Sequence, residues 1–152
     1  MNLAKGPKKG FNVFLYGGTT CGKSWLLNPL LLVFKCFVSQ EGGSSFQLAG
    51  LPGKEVAVLH EFELREHGSG KSIDVNTLKL WWGGETFGIC TSKSFNEEND
   101  DHTPTAPIFG TAPEPPYHKD AAQRKMITRR ICPFFFHREI PEEEIRDIPP
   151  CP

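Results

Sequence analysis

The sequence has almost no net charge: 17 basic and 18 acidic residues leave a formal −1 over 152 residues. That balance removes any global electrostatic case for a polyanionic partner, so a surface for nucleic acid has to be local. Paired cysteines are missing too. Cys21, Cys36, Cys90, Cys132 and Cys151 contain no C-x-x-C spacing, and an odd count does not close a disulfide framework, which points to a reducing compartment. No hydrophobic run reaches the roughly 20 residues of a bilayer-spanning helix. The longest, Trp25 to Val38, contains Asn28, Pro29 and Lys35 and reads as a buried helix. The basic start, Met1 to Gly10, lacks the apolar stretch of a secretory signal, so the chain is expected inside the cell with no membrane partner. The five histidines lack metal-site spacing, and no internal repeat is present.

What is present fits one ordinary globular domain, with an apolar fraction of 38%. The reading is a basic lead-in over 1–10, a domain over 11–140 and an acidic, proline-rich tail over 141–152. Phe11 to Tyr16 is a short run of β-formers ending in Gly17-Gly18, a buried strand followed by a tight loop. Ser24 to Val38 then reads as a helix, apolar nearly all round, in which Pro29 kinks or delays the regular start. Glu55 to His60 is a second strand. Ile73 to Trp82 is helical and is stopped by Gly83-Gly84, and the Thr/Phe/Ile stretch through Lys93 suits a hairpin. Asn96 to Pro107 reads as a surface loop, Ile108 to Thr111 as a short strand, Gln123 to Thr128 as a helix and Ile131 to His137 as an aromatic strand. Strands alternating with helices imply an α/β fold with a mainly parallel central sheet flanked by helices.

One motif carries chemistry at high specificity. Gly17-Gly18-Thr19-Thr20-Cys21-Gly22-Lys23-Ser24 matches G-x-x-x-x-G-K-[ST] in full and lies between an expected strand and an expected helix. Glycines let backbone N–H groups curl around phosphate, the helix N-terminus adds its positive dipole end, Lys23 reaches the β- and γ-phosphates, and Ser24 offers a hydroxyl to magnesium. A second Gly-Lys-Ser at Gly70-Lys71-Ser72 fails the same test, because Arg65 stands where the first glycine is required. A triphosphatase also needs an acid at the end of a neighbouring strand. Glu61 is the favoured catalytic acid and magnesium ligand, with Glu63 in reserve. Arg129-Arg130 are candidates for a guanidinium reaching the γ-phosphate of a neighbouring subunit's nucleotide, and Trp81-Trp82 read as core.

Together these residues resemble the superfamily-3 replicative helicases of small DNA viruses: parvoviruses, papillomaviruses and circular single-stranded DNA viruses. Phe11 to Val38 is similar to that family's first motif. Phe46 to Leu51 leading into Val56 to Glu61 is similar to the approach to its second, acidic motif. Lys79-Leu80-Trp81-Trp82-Gly83-Gly84 with Lys93 resembles the motif whose hairpin lysine contacts DNA, and the resemblance makes Lys79 and Lys93 the DNA-binding candidates. Pro107 to Thr111 falls at the sensor strand, with Thr111 as its polar end, and Met126 to Ile131 resembles the arginine-finger segment. The resemblance implies an AAA+-like phosphate-loop NTPase, ATP and Mg²⁺ as cofactors, DNA (single-stranded) as partner, a hexameric ring and, for a viral protein, the host nucleus. Two positions depart from the pattern. His60 stands beside Glu61 where the family has a second acid, and Ala112 follows Thr111 where it has asparagine. Three readings stay open: a DNA helicase motor, an ATP-binding oligomerisation or DNA-binding module without turnover, and a small phosphate-loop phosphotransferase.

Overall fold

In the computed structural model, residues 6–39, 48–62, 73–89, 100–115 and 119–141 are described. Ten elements follow in order: β1 (Asn12–Gly17), α1 (Lys23–Val33), β2 (Cys36–Ser39), β3 (Val56–Leu59), α2 (Val75–Gly83), β4 (Phe87–Ile89), β5 (Asp100–His102), β6 (Ile108–Ala112), α3 (Ala121–Thr128) and β7 (Ile131–Phe136). Five strands form one sheet in the order β2-β3-β6-β1-β7, and every pairing in it is parallel. The expected α/β architecture with a parallel central sheet is therefore what the chain adopts. Glu63, Lys93, the Gly70-Lys71-Ser72 loop and residues 142–152 of the tail lie outside the described residues.

Strand side chains alternate between two faces, and each face has its own cluster. Val13, Leu15, Val56, Val58 and Phe109 pack with Leu27 of α1 on one side. Phe14, Tyr16, Ala57, Leu59, Ile108 and Ile131 pack with Leu78, Trp81 and Trp82 of α2 and Ile127 of α3 on the other. Both tryptophans are fully buried, so they are core. Trp82 lies 5.0 Å from the Phe14 ring and 5.3 Å from Phe62, and Trp81 lies 6.1 Å from Phe37, within the range of favourable aromatic pairs. Among the described residues, no helix is long and apolar enough to cross a membrane.

Three sequence expectations need correction. The apolar run Trp25 to Val38 is a helix followed by a strand, because Cys36–Ser39 pairs residue for residue with Val56–Leu59 and must be extended to do so. The turn between them is held by Lys35 N–H on the Glu55 carboxylate at 2.7 Å and Glu55 N–H on the Lys35 carbonyl at 2.9 Å. The helix itself is not buried on several sides. Only Lys23 and Leu27 are buried, and Trp25, Leu26, Leu32 and Val33 are exposed. Lastly, Asp100–His102 was expected in a surface loop but pairs antiparallel with Phe87–Ile89. The His102 ring meets Phe87 edge-on at 5.7 Å, and the Thr86 and Thr103 hydroxyls are 2.8 Å apart, so cross-strand contacts outweigh the acidic local composition.

A single buried amide joins the segments behind the sheet. Asn12, 1% exposed, donates from Nδ2 to the carbonyls of Trp82 and Arg130 at 2.7 Å each and of Lys8 at 3.3 Å. It thereby ties the lead-in, the end of α2 and the α3–β7 turn to the first residue of β1. Asn12→Asp keeps the shape but replaces the donor with an acceptor facing three carbonyls. It is expected to destabilise the fold by about 3 kcal/mol or more, since a buried and two part-buried carbonyls lose their donor at once and face a carboxylate instead. Denaturant unfolding checks this; an unchanged midpoint would show that the amide does not hold these segments.

Candidate nucleotide-binding site

The loop between β1 and α1 is built by backbone conformations that few residues tolerate. Gly17 sits at φ 153°, and a Cβ there would come within 2.5 Å of the Phe136 carbonyl oxygen. Gly22 sits at φ 83°, in the left-handed region, and Thr20 takes φ 59° despite its branched side chain. Backbone geometry of this kind lets consecutive N–H groups converge on one centre. The Lys23 ammonium folds over the loop, donating to the Gly17 carbonyl at 2.8 Å and the Gly18 carbonyl at 2.5 Å, with the Cys21 sulfur 3.5 Å away. Cys21 is buried and its thiol donates to the Gly18 carbonyl at 3.1 Å. Ser24 is exposed in the first turn of α1, and Thr19 is exposed at the loop tip.

The start of α1 differs from those of the other helices. Asp74 caps α2 by accepting from Asn76 and Thr77 N–H, and Asp120 caps α3 by accepting from Ala122 N–H. At α1 the capping residue is Gly22, with no side-chain cap hydrogen bond. The first N–H groups of a helix need an acceptor, and the positive end of the dipole favours an anion. An uncapped helix start behind a loop in which Gly17 has no room for a Cβ and Gly22 is left-handed fits a phosphate chain with its magnesium, and Ser24 stands where it can offer oxygen to the metal.

The sheet brings Glu61 and Thr111 to the same end. Leu59 is level with Gly110 and Gly110 with Phe14, so the residues after Leu59 emerge beside the end of β1. Only β6 lies between them, and with strands about 4.8 Å apart the lateral separation is on the order of 10 Å. Glu61 is exposed and held at φ 45°, a left-handed conformation costly for a residue with a side chain. Thr111 enforces that turn. It is completely buried, its hydroxyl accepts from Glu61 N–H at 3.0 Å, and its carbonyl accepts from Phe62 N–H at 2.7 Å. Thr111 thus acts on Glu61's backbone.

Arg129, Arg130 and Lys79 are not brought to this end. β7 begins level with Asn12 and reaches Phe136 level with Gly17, so the arginines before Ile131 stand at the far end of the sheet, about 17 Å from the loop at 3.3 Å per residue. Arg130 is engaged there, donating to the Lys79 carbonyl from Nε and to the Met126 carbonyl from a terminal nitrogen, both at 2.8 Å. Lys79 donates to Gln123 at 3.1 Å. Arg129 is exposed.

Sequence reading missed the stretch after β7. The Ile140 N–H donates to the Thr20 carbonyl at 3.0 Å, and Glu139 Oε1 and Ile140 Cδ1 each lie 3.3 Å from where a Cβ on Gly18 and Gly22 would stand. Nothing local announces this contact; it follows from β7 lying beside β1.

No protein-family model matches the chain, and no curated protein matches it. Among solved structures it is similar to the helicase of JCV, a polyomavirus, at 14% identity and a TM-score of 0.49, over 86% of this chain and 36% of that one. It is also similar to the JCV helicase bound to a thiazolopyridine-containing acetamide, at 12% identity and a TM-score of 0.52, over 86% and 37%. The chain therefore spans little more than a third of the length of these structures, 36% and 37%. At 12% identity the second likeness speaks for the fold alone, a parallel sheet flanked by helices as in phosphate-loop NTPases.

The Glu61 conformation gives a test independent of activity. Glu61→Gly is expected to be about 1 kcal/mol more stable than Glu61→Ala, because only glycine adopts the left-handed backbone without cost. Equal unfolding midpoints for the two variants would show that the turn is unstrained.

Proposed function

We propose that the chain is the ATPase motor of a superfamily-3-type viral or virus-derived replication protein, using Mg-ATP to translocate on and unwind DNA. The observation that carries this reading is the sheet register. It sets Glu61, on the turn held by Thr111, one strand away from a phosphate loop whose helix start has no side-chain cap. Lys23 would leave its loop carbonyls for the β- and γ-phosphates, and Ser24 and Glu61 would hold magnesium. Bound there, the metal neutralises charge on the phosphate oxygens. Glu61 accepts the proton of the attacking water. The likeness in fold to the JCV helicase, at a TM-score of 0.52, supports this reading.

Arg129 is the arginine assigned to the γ-phosphate, and it acts on a neighbouring subunit's nucleotide. Its own loop is at the other end of the sheet, whereas its exposure leaves the guanidinium open to a second copy. The exposed apolar row Trp25, Leu26, Leu32 and Val33 on α1 supports self-association, with a hexameric ring as the assembly. Lys93 and Lys79 are the DNA-contacting lysines of this reading, with single-stranded DNA the favoured substrate.

A second reading has its own support. His60 beside Glu61 supplies no carboxylate charge to a metal, which favours a module that binds ATP and holds an oligomer without turning it over.

Single-strand-stimulated ATP hydrolysis separates the two. Lys23→Ala is expected to lower the rate roughly 100-fold or more, and Glu61→Gln comparably while ATP still binds. Wild-type binding of Mg-ATP with no phosphate release would select the module, and an unchanged rate in Lys23→Ala would remove the loop from the site.

A further inference from the structure

The phosphate loop accounts only for the anionic end of a nucleotide; the base needs a surface of its own. The chain leaving β7 runs directly over the loop. The Phe136 carbonyl abuts Gly17, the Ile140 N–H is bonded to Thr20, and Glu139 and Ile140 lie against Gly18 and Gly22. The same stretch carries two exposed rings on one face, Phe135 and His137. Phe135 is 53% exposed, and its ring and that of His137 are near-parallel, with centroids 6.1 Å apart and planes 12° from each other. A flat heterocycle aligned with one ring is therefore aligned with both.

The position of these rings follows from the strand register. Phe135 is level with Tyr16, the residue before Gly17, and their rings are 5.6 Å apart. Tyr16 is buried beneath, with a hydroxyl that has no hydrogen-bond partner among the described residues. A phenyl group left half open at the rim of a phosphate site loses hydrophobic stabilisation unless something covers it, and an aromatic base is suited to do so. Trp25 of α1 and Phe134 of β7 are exposed as well, but Phe134 falls on the opposite face of the strand from Phe135.

We propose that Phe135 and His137 form the nucleobase platform of this site, the base lying against the paired rings while the triphosphate occupies the loop. This rests on the nucleotide-binding reading above and adds to it the side of the sheet on which the nucleoside lies. Stacking on aromatic faces is tolerant of base identity, so purine nucleotides bind with similar affinity.

Calorimetric affinities for Mg-ATP and for Mg-tripolyphosphate, which has no base, test the proposal. Phe135→Ala is expected to weaken Mg-ATP about 5- to 100-fold and His137→Ala to a smaller extent, both leaving tripolyphosphate unchanged, with Phe135→Trp restoring ATP affinity. An unchanged ATP affinity in Phe135→Ala overturns the platform, as does an equal loss for both ligands or a loss confined to Trp25→Ala. Loss of single-stranded DNA affinity alone in Phe135→Ala would reassign the rings to the strand and overturns it too. If neither ligand binds wild type in a manner sensitive to Lys23→Ala, the nucleotide reading falls and the platform with it. Binding of both with no response at Phe135 removes the platform alone.

Discussion

Parallel pairing of β1 with β6 on one side and β7 on the other is the constraint from which the site follows. A strand held on both edges cannot shift register, so the point at which it stops pairing, Gly17, is fixed in space. All five strands of the sheet run the same way, and whatever follows β3, β6 and β1 must therefore emerge together. Glu61, Thr111 and the glycine loop are collected at one end by that rule, although they are far apart in sequence. The same rule sends Arg129 and Arg130, which precede β7, to the opposite end. Arg129 could therefore meet a γ-phosphate only on another copy of the chain.

Within that frame the loop end of the sheet stores local strain. Thr20 and Glu61 both adopt left-handed backbone without being glycine, and such residues persist only where neighbours over-determine them. At Glu61 the determinant is visible: Thr111 accepts from two successive N–H groups with its hydroxyl and its carbonyl. The buried threonine thus fixes the backbone that presents Glu61. Burial also pushes the ionisation of the Tyr16 hydroxyl upward, keeping it neutral beneath Phe135.

The parts of the structure legible in the sequence are those written locally. The strand-loop-helix at Phe11 to Val33 carries its own signature, because glycine spacing, lysine and the flanking apolar run lie within a few turns of chain. Gly84, at φ 75°, ends α2 where a glycine pair follows an apolar helix, as the sequence indicated. What was illegible depends on distant pairing. Cys36–Ser39 continues the apolar run of α1, and nothing in periodicity separates the two; only β3 does. Asp100–His102 is acidic and becomes a strand because Phe87–Ile89 offers an edge. The difference between Arg130, bonded to the carbonyls of Lys79 and Met126, and the exposed Arg129 is likewise made by packing between helices.

The proposed site is divided between two copies, with the loop and Glu61 from one and Arg129 from the next. Mixed subunits distinguish it from a site within one chain. Lys23→Ala and Arg129→Ala proteins, each inactive in ATP hydrolysis alone, should recover hydrolysis when combined, because an interface can then join an intact loop to an intact arginine. Full activity of Arg129→Ala by itself, or a mixture that stays as inactive as its components, would contradict it.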